Sequence, residues 1–259
     1  MKAALSAMTV KTDRKDARGL AQLIRMGWFQ PVHAKSIGSQ EMRALLIARK
    51  QLLGKLIDVE LSIRGFLRGF GLKVGQVTRK EFEARIRELV AGQATLERIA
   101  GAMLSARTTL KAEYEKLHKA VLAIVREDAV CRKLMTVPGV GPLVAVTFKS
   151  AVDNPRRIAK SKAVGALFGL TPKKYQSGET DITGRISKIG DGGVRTAAYE
   201  ASHVILTKPV KGCAALKSWA TKLARRAGMS KAKVALARRL TVIMHRMLAD
   251  GTTFANRPA

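Results

Sequence analysis

The chain has few acidic residues and almost no cysteine. Its 259 residues include 19 Asp and Glu against 48 Lys and Arg, which gives a formal net charge of +29. Like charges repel within a compact fold, so this imbalance is typical of proteins that bind a polyanion. The two cysteines, Cys131 and Cys213, lie far apart without the spacing of a metal site. This favours two reduced thiols and excludes a disulfide framework.

Long apolar runs are also missing. The longest mostly apolar stretches, such as residues 140–148, fall well short of the roughly 20 residues that cross a bilayer. The first ten residues are too short for a secretory signal and are followed at once by charged residues. We therefore expect a cytoplasmic protein without a membrane partner. The content of 47% hydrophobic residues is nevertheless sufficient for at least one buried core.

Three stretches of the chain differ in composition. Residues 1–37 contain one candidate amphipathic helix and are too few to fold alone. Residues 38–130 carry a long helical repeat, and residues 131–259 form a compact, glycine-punctuated helical domain. The predicted fold is mainly α, with a long antiparallel coiled-coil helical hairpin followed by a compact helical domain that contains a helix-hairpin-helix motif.

A seam of apolar residues predicts two long helices in the second stretch. Alternating steps of four and three residues give Phe82, Ile86, Leu89, Gln93, Leu96, Ala100, Met103, Arg107, Leu110, Tyr114, Leu117, Val121 and Ile124. Such a repeat is typical of a coiled coil. Thr78 and Glu81 form a capping-box pattern ahead of it. A matching seam from Leu45 to Phe70 precedes a glycine-containing turn.

Heptads alone do not fix the number of partners. The two helices can pack only on each other within one chain, or they can form a dimeric coiled coil, and the sequence favours neither. The second alternative predicts a homo-oligomer through the coiled coil.

Five helices and one loop are predicted in the third stretch. The helices cover residues 141–152, 161–168, 193–206, 214–226 and 230–248, and the polar segment 171–189 is predicted to be a loop. Asp191 precedes the third of these helices and is expected to cap it. Basic residues cluster near the C-terminus, and with this net charge they favour a nucleic-acid contact over a solvated face.

The segment LMTVPGVGPLVAV, residues 134–146, has the form of a helix-hairpin-helix turn. Gly139 and Gly141 permit a tight turn, and the amides that open the next helix can then point at a phosphate oxygen. The alternative is a glycine-rich helix connection punctuated by Pro138 and Pro142.

The segment 171–195 holds a serine among basic residues. Ser177 precedes Gly178 in a polar turn, and its basic neighbours are Lys173, Lys174, Arg185, Lys188 and Arg195. A serine hydroxyl in such a setting can attack a phosphodiester if its proton is removed and the new negative charge is stabilised. Taken alone, the residues favour an ordinary Ser-Gly turn in a phosphate-binding loop.

Asp13 and Asp16 are three residues apart at the start of a predicted helix. Carboxylates on one helix face can hold Mg²⁺ beside a phosphate. Among basic neighbours, however, such a pair is more often a solvated helix start.

Four blocks, in this order along the chain, resemble one family. They are KTDRKDA at 11–17, LMTVPGVGPLVA at 134–145, ALFGLTPKKYQSGE at 166–179 and GRISKIGDGGVRTAAYEA at 184–201. They are similar to insertion-sequence transposases that combine a DEDD nuclease domain with a C-terminal serine domain. The resemblance implies that Ser177 is the nucleophile that links covalently to DNA. It also implies that a structured guide RNA is a partner, and that Asp13 and Asp16 are the last two of four acidic Mg²⁺ ligands.

The resemblance also sets an expectation for the N-terminus. The family's first two acidic ligands lie upstream of the pair that matches Asp13 and Asp16, and here only twelve residues precede Asp13. Residues 1–37 are therefore interpreted as the remnant of a ribonuclease-H-like nuclease domain, and residues 131–259 as the serine transposase domain. We expect this chain alone to bind DNA with little or no cleavage. The alternatives are a non-catalytic nucleic-acid-binding remnant and a helix-hairpin-helix structural or repair factor.

Overall fold

The structure is a computed structural model that describes residues 12–29 and 32–255, and these residues form ten α-helices and one two-stranded sheet. The mainly α prediction is thereby confirmed. The helices are α1 Asp13–Arg25, α2 Ile37–Gly69, α3 Phe82–Val90, α4 Ala94–Glu127, α5 Ala129–Leu134, α6 Pro142–Val152, α7 Val164–Leu167, α8 Gly192–Thr207, α9 Ala214–Ala227 and α10 Met229–Asp250. The strands are β1 Pro172–Ser177 and β2 Thr180–Ile186. The chain separates into two units, Met1–Ser36 and Ile37–Ala259.

The first unit contains α1. Thr12 caps this helix, since its hydroxyl accepts a hydrogen bond from the amide of Lys15 at 3.3 Å. Leu23 is buried, whereas Ile24 is 60% exposed. Part of the predicted nuclease remnant, residues 1–11 and 30–31, lies outside the described residues.

In the second unit, α2 and α4 pack against each other in antiparallel orientation. Arg49 contacts Tyr114 and His118, and Glu60, further along α2, contacts Arg107, which lies earlier in α4. Residues of both predicted seams therefore contact each other within one chain. A second apolar cluster, which includes Ile63, Leu67 and Leu104, lies at the end of the α2–α4 pair that is remote from the main core. The polar contacts of Arg49 and Arg107 lie between this cluster and the main core.

The helix predicted to run on from Phe82 is interrupted. Thr78 and Glu81 do form the predicted capping box, because the amide of each donates to the side chain of the other. However, Gly92 has a φ of +81°, and this left-handed conformation separates α3 from α4. The side chain of Glu97 then accepts from the amide of Gly92 at 2.8 Å and closes the start of α4. The prediction of one continuous helix was wrong here because a heptad count ignores backbone conformation.

The buried stripe of α4 also departs from the predicted seam. Leu96, Ala100 and Val121 are buried as predicted, but at the C-terminal end Val125 is buried while Ile124 is 40% exposed. A straight α-helix drifts by about 20° per heptad against a strict seven-residue repeat. Over roughly four heptads the drift reaches about 80°, close to the ~100° between successive residues. The stripe has therefore slipped by one residue.

The main core lies between α6, α8, α9 and α10, and the sequence predicted all four helices to within two residues. Helix α10 is the central element, and Leu236, Leu240 and Met244 on it are fully buried. Helices α8 and α9 pack on α10, α6 packs on α8, and the start of α2 packs on α6. The loop predicted over residues 171–189 was wrong, because this segment contains β1 and β2.

Candidate nucleic-acid interface

The segment around Ser177 is an antiparallel β-hairpin. Tyr175 pairs with Ile182 and Ser177 with Thr180, so two residues make the turn. Gly178 stands first in the turn with a φ of +55°, a position that favours glycine in two-residue hairpins. Almost every residue of both strands is exposed. No apolar alternation therefore marks the strands in the sequence, although the Ser-Gly pair is a turn signal.

The root of the hairpin is fixed to the helical core. The guanidinium of Arg195, on α8, donates to the carbonyls of Phe168, Ile189 and Gly190 at 2.9–3.2 Å. Gly169 has a φ of +64°, and a Cβ there would lie 2.3 Å from the carbonyl oxygen of Ile189. The backbone is thus closely packed at the root, and the hairpin projects from a rigid base.

Ser177 lies at the tip of the hairpin. Side chains alternate between the two faces of a strand, so Ser177 and Thr180 share a face with Tyr175 and Ile182. Tyr175 is 65% exposed and Ile182 is 59% exposed. Within the part of the chain that the structure describes, the hydroxyl of Ser177 forms no hydrogen bond. Its oxygen is thus open to an approaching group.

The five basic residues predicted to surround Ser177 lie along the hairpin and at its root instead. Lys174 is ion-paired with Asp181 at 3.1 Å on the opposite face. Lys173, Arg185 and Lys188 lie at or beyond the end of the strands that is remote from the tip. Arg195 holds the root carbonyls in place. The structure therefore separates the serine from most of the positive charge that the sequence places near it.

Asp191 caps α8, as predicted. Its carboxylate accepts from the amides of Gly193 at 2.8 Å and Val194 at 3.2 Å, and it forms an ion pair with Arg43 of α2. Burial pushes the pKa of Asp191 upward, but the hydrogen bonds from Arg43 and the two amides, together with the Arg43 charge, hold that pKa below its ordinary value. These amides are already occupied, so the helix start serves to join α2 to α8.

The glycines of the predicted helix-hairpin-helix turn have different surroundings. Gly139, with a φ of +79°, packs against α8, and a Cβ there would lie 2.8 Å from the carbonyl oxygen of Ala201. Gly141 precedes α6 in open space, and no side chain caps that helix. Close packing on α8 therefore accounts for Gly139, whereas the start of α6 at Gly141 remains available to a ligand.

The two cysteines and two of the histidines contact other parts of the fold. Burial raises the pKa of the Cys131 thiol to about 12, and the Asp128 carboxylate adds to the effect. Cys213 is also buried and contacts the carbonyl of Val210. His245 is buried, and its Nε2 donates to the carbonyl of Pro155 at 3.1 Å. Burial and the charge of Arg49 lower the pKa of His118.

Asp13 and Asp16 lie in the first turn of α1, where a negative charge favours the helix by complementing its dipole. Across residues 12–29 and 32–255, no group of three or more His, Cys, Asp and Glu side chains is arranged to hold a metal ion. Asp13 and Asp16 supply two carboxylates, and Mg²⁺ prefers six oxygen ligands. None of the described helices combines the length and apolar character needed to span a bilayer.

Comparison with known proteins gives one family match and several relatives. Residues 131–217 match the family model described as the transposase IS116/IS110/IS902 family. The chain is 29% identical over 253 residues to the transposase for insertion sequence element IS1111A of Coxiella burnetii, covering 94% of this chain and 68% of that protein. It is 25% identical over 249 residues to a probable family 20 transposase of Pseudomonas aeruginosa, covering 94% and 74%. Relatives of this chain are thus named transposases of insertion sequences.

Proposed function

We propose that the chain is a DNA transposase of an insertion sequence that cuts and rejoins strands through Ser177. The observation that carries the proposal is the family match over residues 131–217, which includes the whole β1–β2 hairpin and its exposed serine. The net charge of +29 supports a nucleic-acid substrate.

The proposed reaction is a transesterification. The hydroxyl oxygen of Ser177 attacks the phosphorus of a phosphodiester, so that a serine–phosphorus ester forms and the bond from phosphorus to one deoxyribose oxygen breaks. The serine proton passes to the solvent or to a base, and the leaving deoxyribose oxygen takes up a proton. A second DNA hydroxyl then attacks the serine ester, which restores a phosphodiester and frees Ser177. One phosphate ester replaces another throughout, so the cycle needs no outside energy source.

Binding to DNA is proposed to use the start of α6 and the basic side chains at the hairpin root. Pro142 has no N–H, but the amides of Leu143 and Val144 are not capped by a side chain and can donate to a phosphate. Lys173, Arg185 and Lys188 add positive charge that holds a backbone without reading its sequence. Gly139 contributes through the shape of the turn.

Two further partners are carried from the resemblance as proposals. A structured guide RNA fits the same excess of positive charge. Asp13 and Asp16 are proposed to contribute two carboxylates to a Mg²⁺ site whose other ligands are not among the described residues. When bound, that ion would offset the negative charge that develops on the phosphate during attack by Ser177.

We also propose that the chain forms a homo-oligomer through the outer face of α2. The predicted seam is occupied by packing between α2 and α4, so a second copy needs another surface. Ile47, Ile57 and Leu61 are 54%, 40% and 60% exposed, and with Gly54 they follow a heptad spacing along one face of α2. We expect Leu61→Asp to dissociate the oligomer in sedimentation, whereas Lys55→Asp, outside the stripe on the same helix, leaves it intact. A monomer before the change would contradict the proposal.

Covalent capture of DNA tests the proposed function. The substrate is a duplex bearing an end of the element, with sulfur in place of the leaving oxygen so that the cut strand cannot religate. With Mg²⁺ present and the ribonuclease-H-like segment of a relative fused ahead of Met1, we expect a protein–DNA adduct that survives denaturation, and we expect Ser177→Ala to abolish it. The control is Thr180→Ala, which removes the hydroxyl directly opposite Ser177 on the same face. DNA binding without any adduct would instead support a non-catalytic nucleic-acid-binding protein.

A further inference from the structure

A large cavity lies where the root of the hairpin meets α9 and α10. Its volume is about 1100 Å³, which is enough for a nucleotide-sized ligand. The floor is apolar and includes Leu170, Ile186, Val234, Ala235 and Val242. Trp219 of α9 forms part of the wall and keeps 36% of its surface exposed. The cavity therefore offers an apolar surface that a flat ring can cover.

Positive charge surrounds this apolar floor. The basic lining residues are Arg185, Lys188, Lys231, Arg238 and Arg239, and all five are exposed. Among the described residues that line the cavity, none is acidic, and none of the five forms an ion pair with any described carboxylate. Lys174, further along the hairpin, is by contrast neutralised by Asp181. The rim thus complements an anion that comes from outside this part of the chain.

A nucleotide combines the two properties that the cavity complements. Its base is flat and largely apolar on its faces, and its phosphate is anionic. Bases stack on tryptophan, and arginine guanidinium groups add to such stacks. Arg239 already lies over the Trp219 ring, with its central carbon 4.9 Å from the ring centroid. This contact places a guanidinium next to the indole at the cavity wall.

The position of the cavity relates it to Ser177. Five residue steps separate Pro172, which lines the cavity, from Ser177 at the tip. At about 3.3 Å per residue this corresponds to roughly 16 Å. A DNA strand that crosses Ser177 can thus reach the cavity within a few nucleotides. Bases within a duplex are stacked and cannot enter it, whereas an unpaired base can.

We infer that the cavity binds an unpaired nucleotide of single-stranded DNA next to the cleavage point, with its base on the apolar floor beside Trp219 and its phosphate on the basic rim. This inference rests on the proposed function for its choice of DNA. The cavity then positions the strand and favours substrate whose bases are already unpaired, because stacking energy is not lost on entry.

Tryptophan fluorescence provides the test. The chain has two tryptophans, so the change Trp28→Phe leaves Trp219 as the sole reporter. The probe is a short oligothymidylate, compared with an abasic strand of equal length and charge. We expect saturable quenching by the oligothymidylate and binding at least about fivefold tighter than that of the abasic strand. Equal affinity for the two strands would overturn the inference, because charge alone would then account for binding.

Two pairs of variants separate the floor from the rim. Ala235→Phe fills the cavity without a change of charge and should remove the preference for oligothymidylate, whereas Ala214→Phe, at the start of α9 and outside the cavity, should keep it. Lys231→Ala should weaken the binding of both strands more than Lys222→Ala, which removes the same charge elsewhere. Retention of the preference in Ala235→Phe would contradict the proposal.

Two further comparisons test whether the cavity prefers DNA to RNA and whether its binding is independent of Ser177. Tighter binding of oligouridylate than of oligothymidylate would overturn the choice of DNA. All measurements are repeated with Ser177→Ala, which should bind as the parent does because binding needs no chemistry at the serine. A failure of covalent capture and a failure of this site are thus distinguished.

Discussion

At the scale of single residues, location decides which chemistry-bearing side chains are open to a substrate. Ser177 stands at an exposed tip, and its hydroxyl is free to meet a phosphate. Cys131 and Cys213 carry nucleophilic atoms but are enclosed by apolar side chains. Burial raises the pKa of the Cys131 thiol to about 12, so this thiol is protonated at neutral pH and is a poor nucleophile, since nucleophilic attack requires the thiolate.

The Cys131 thiol should therefore be unreactive in the folded protein. With Cys213 replaced by Ala, so that Cys131 is the sole cysteine, we expect iodoacetamide at neutral pH to modify the native chain far more slowly than the chain in denaturant. Mass spectrometry of the intact protein follows the reaction. Modification of the native protein at the rate of a free thiol would show that Cys131 is accessible.

At the scale of elements, the ion pair between Arg43 and Asp191 connects α2 to the start of α8. Asp191→Ala removes both the cap and the ion pair, and we expect it to lower the free energy of unfolding by about 1–3 kcal/mol. Arg43→Ala leaves the cap in place and should cost less. In urea unfolding the double variant should be more stable than the sum of the two changes predicts. Strict additivity would mean that the pair does not couple the helices.

The sequence predicted most helices because their signals are local. Periodic apolar residues, the capping box at Thr78 and the cap at Asp191 all depend on residues within one or two turns. The hairpin was missed because its strands are exposed on both faces, so that no alternation of apolar and polar residues marks them. The break at Gly92 and the slip toward Val125 were missed because they follow from backbone geometry, which a strict seven-residue count leaves out.

The candidate site was predictable in part for the same reason. The Ser-Gly turn and its resemblance to a family stand in the sequence, whereas the position of the charges depends on the fold. The sequence predicts that Arg195 binds phosphate, but in the structure its guanidinium donates hydrogen bonds to three carbonyls at the hairpin root. The cavity joins the hairpin to Trp219 and α10, which lie some thirty or more residues later in the chain, so the sequence indicated the basic residues near the C-terminus but not the cavity that they line.

At the scale of the whole molecule, the charge of +29 governs association with nucleic acid. Each phosphate neutralised by Lys or Arg releases counterions, so affinity for duplex DNA should fall steeply and linearly on a plot of log affinity against log salt concentration. Fluorescence anisotropy with a labelled duplex measures the slope. Replacing both Lys173 and Arg185 by Ala should reduce this slope by the amount that corresponds to about two phosphate contacts. An affinity indifferent to salt would contradict a role for this charge in binding.

The central claim is that Ser177 forms the bond to DNA, and identification of the linked residue tests it most directly. The captured adduct is digested with nuclease and protease, and the peptide that retains a nucleotide is sequenced by mass spectrometry. We predict a nucleotide on the hydroxyl of Ser177, within the peptide that spans the turn at Gly178. A nucleotide on Tyr175, which shares the same exposed face, or on any other residue would contradict the assignment.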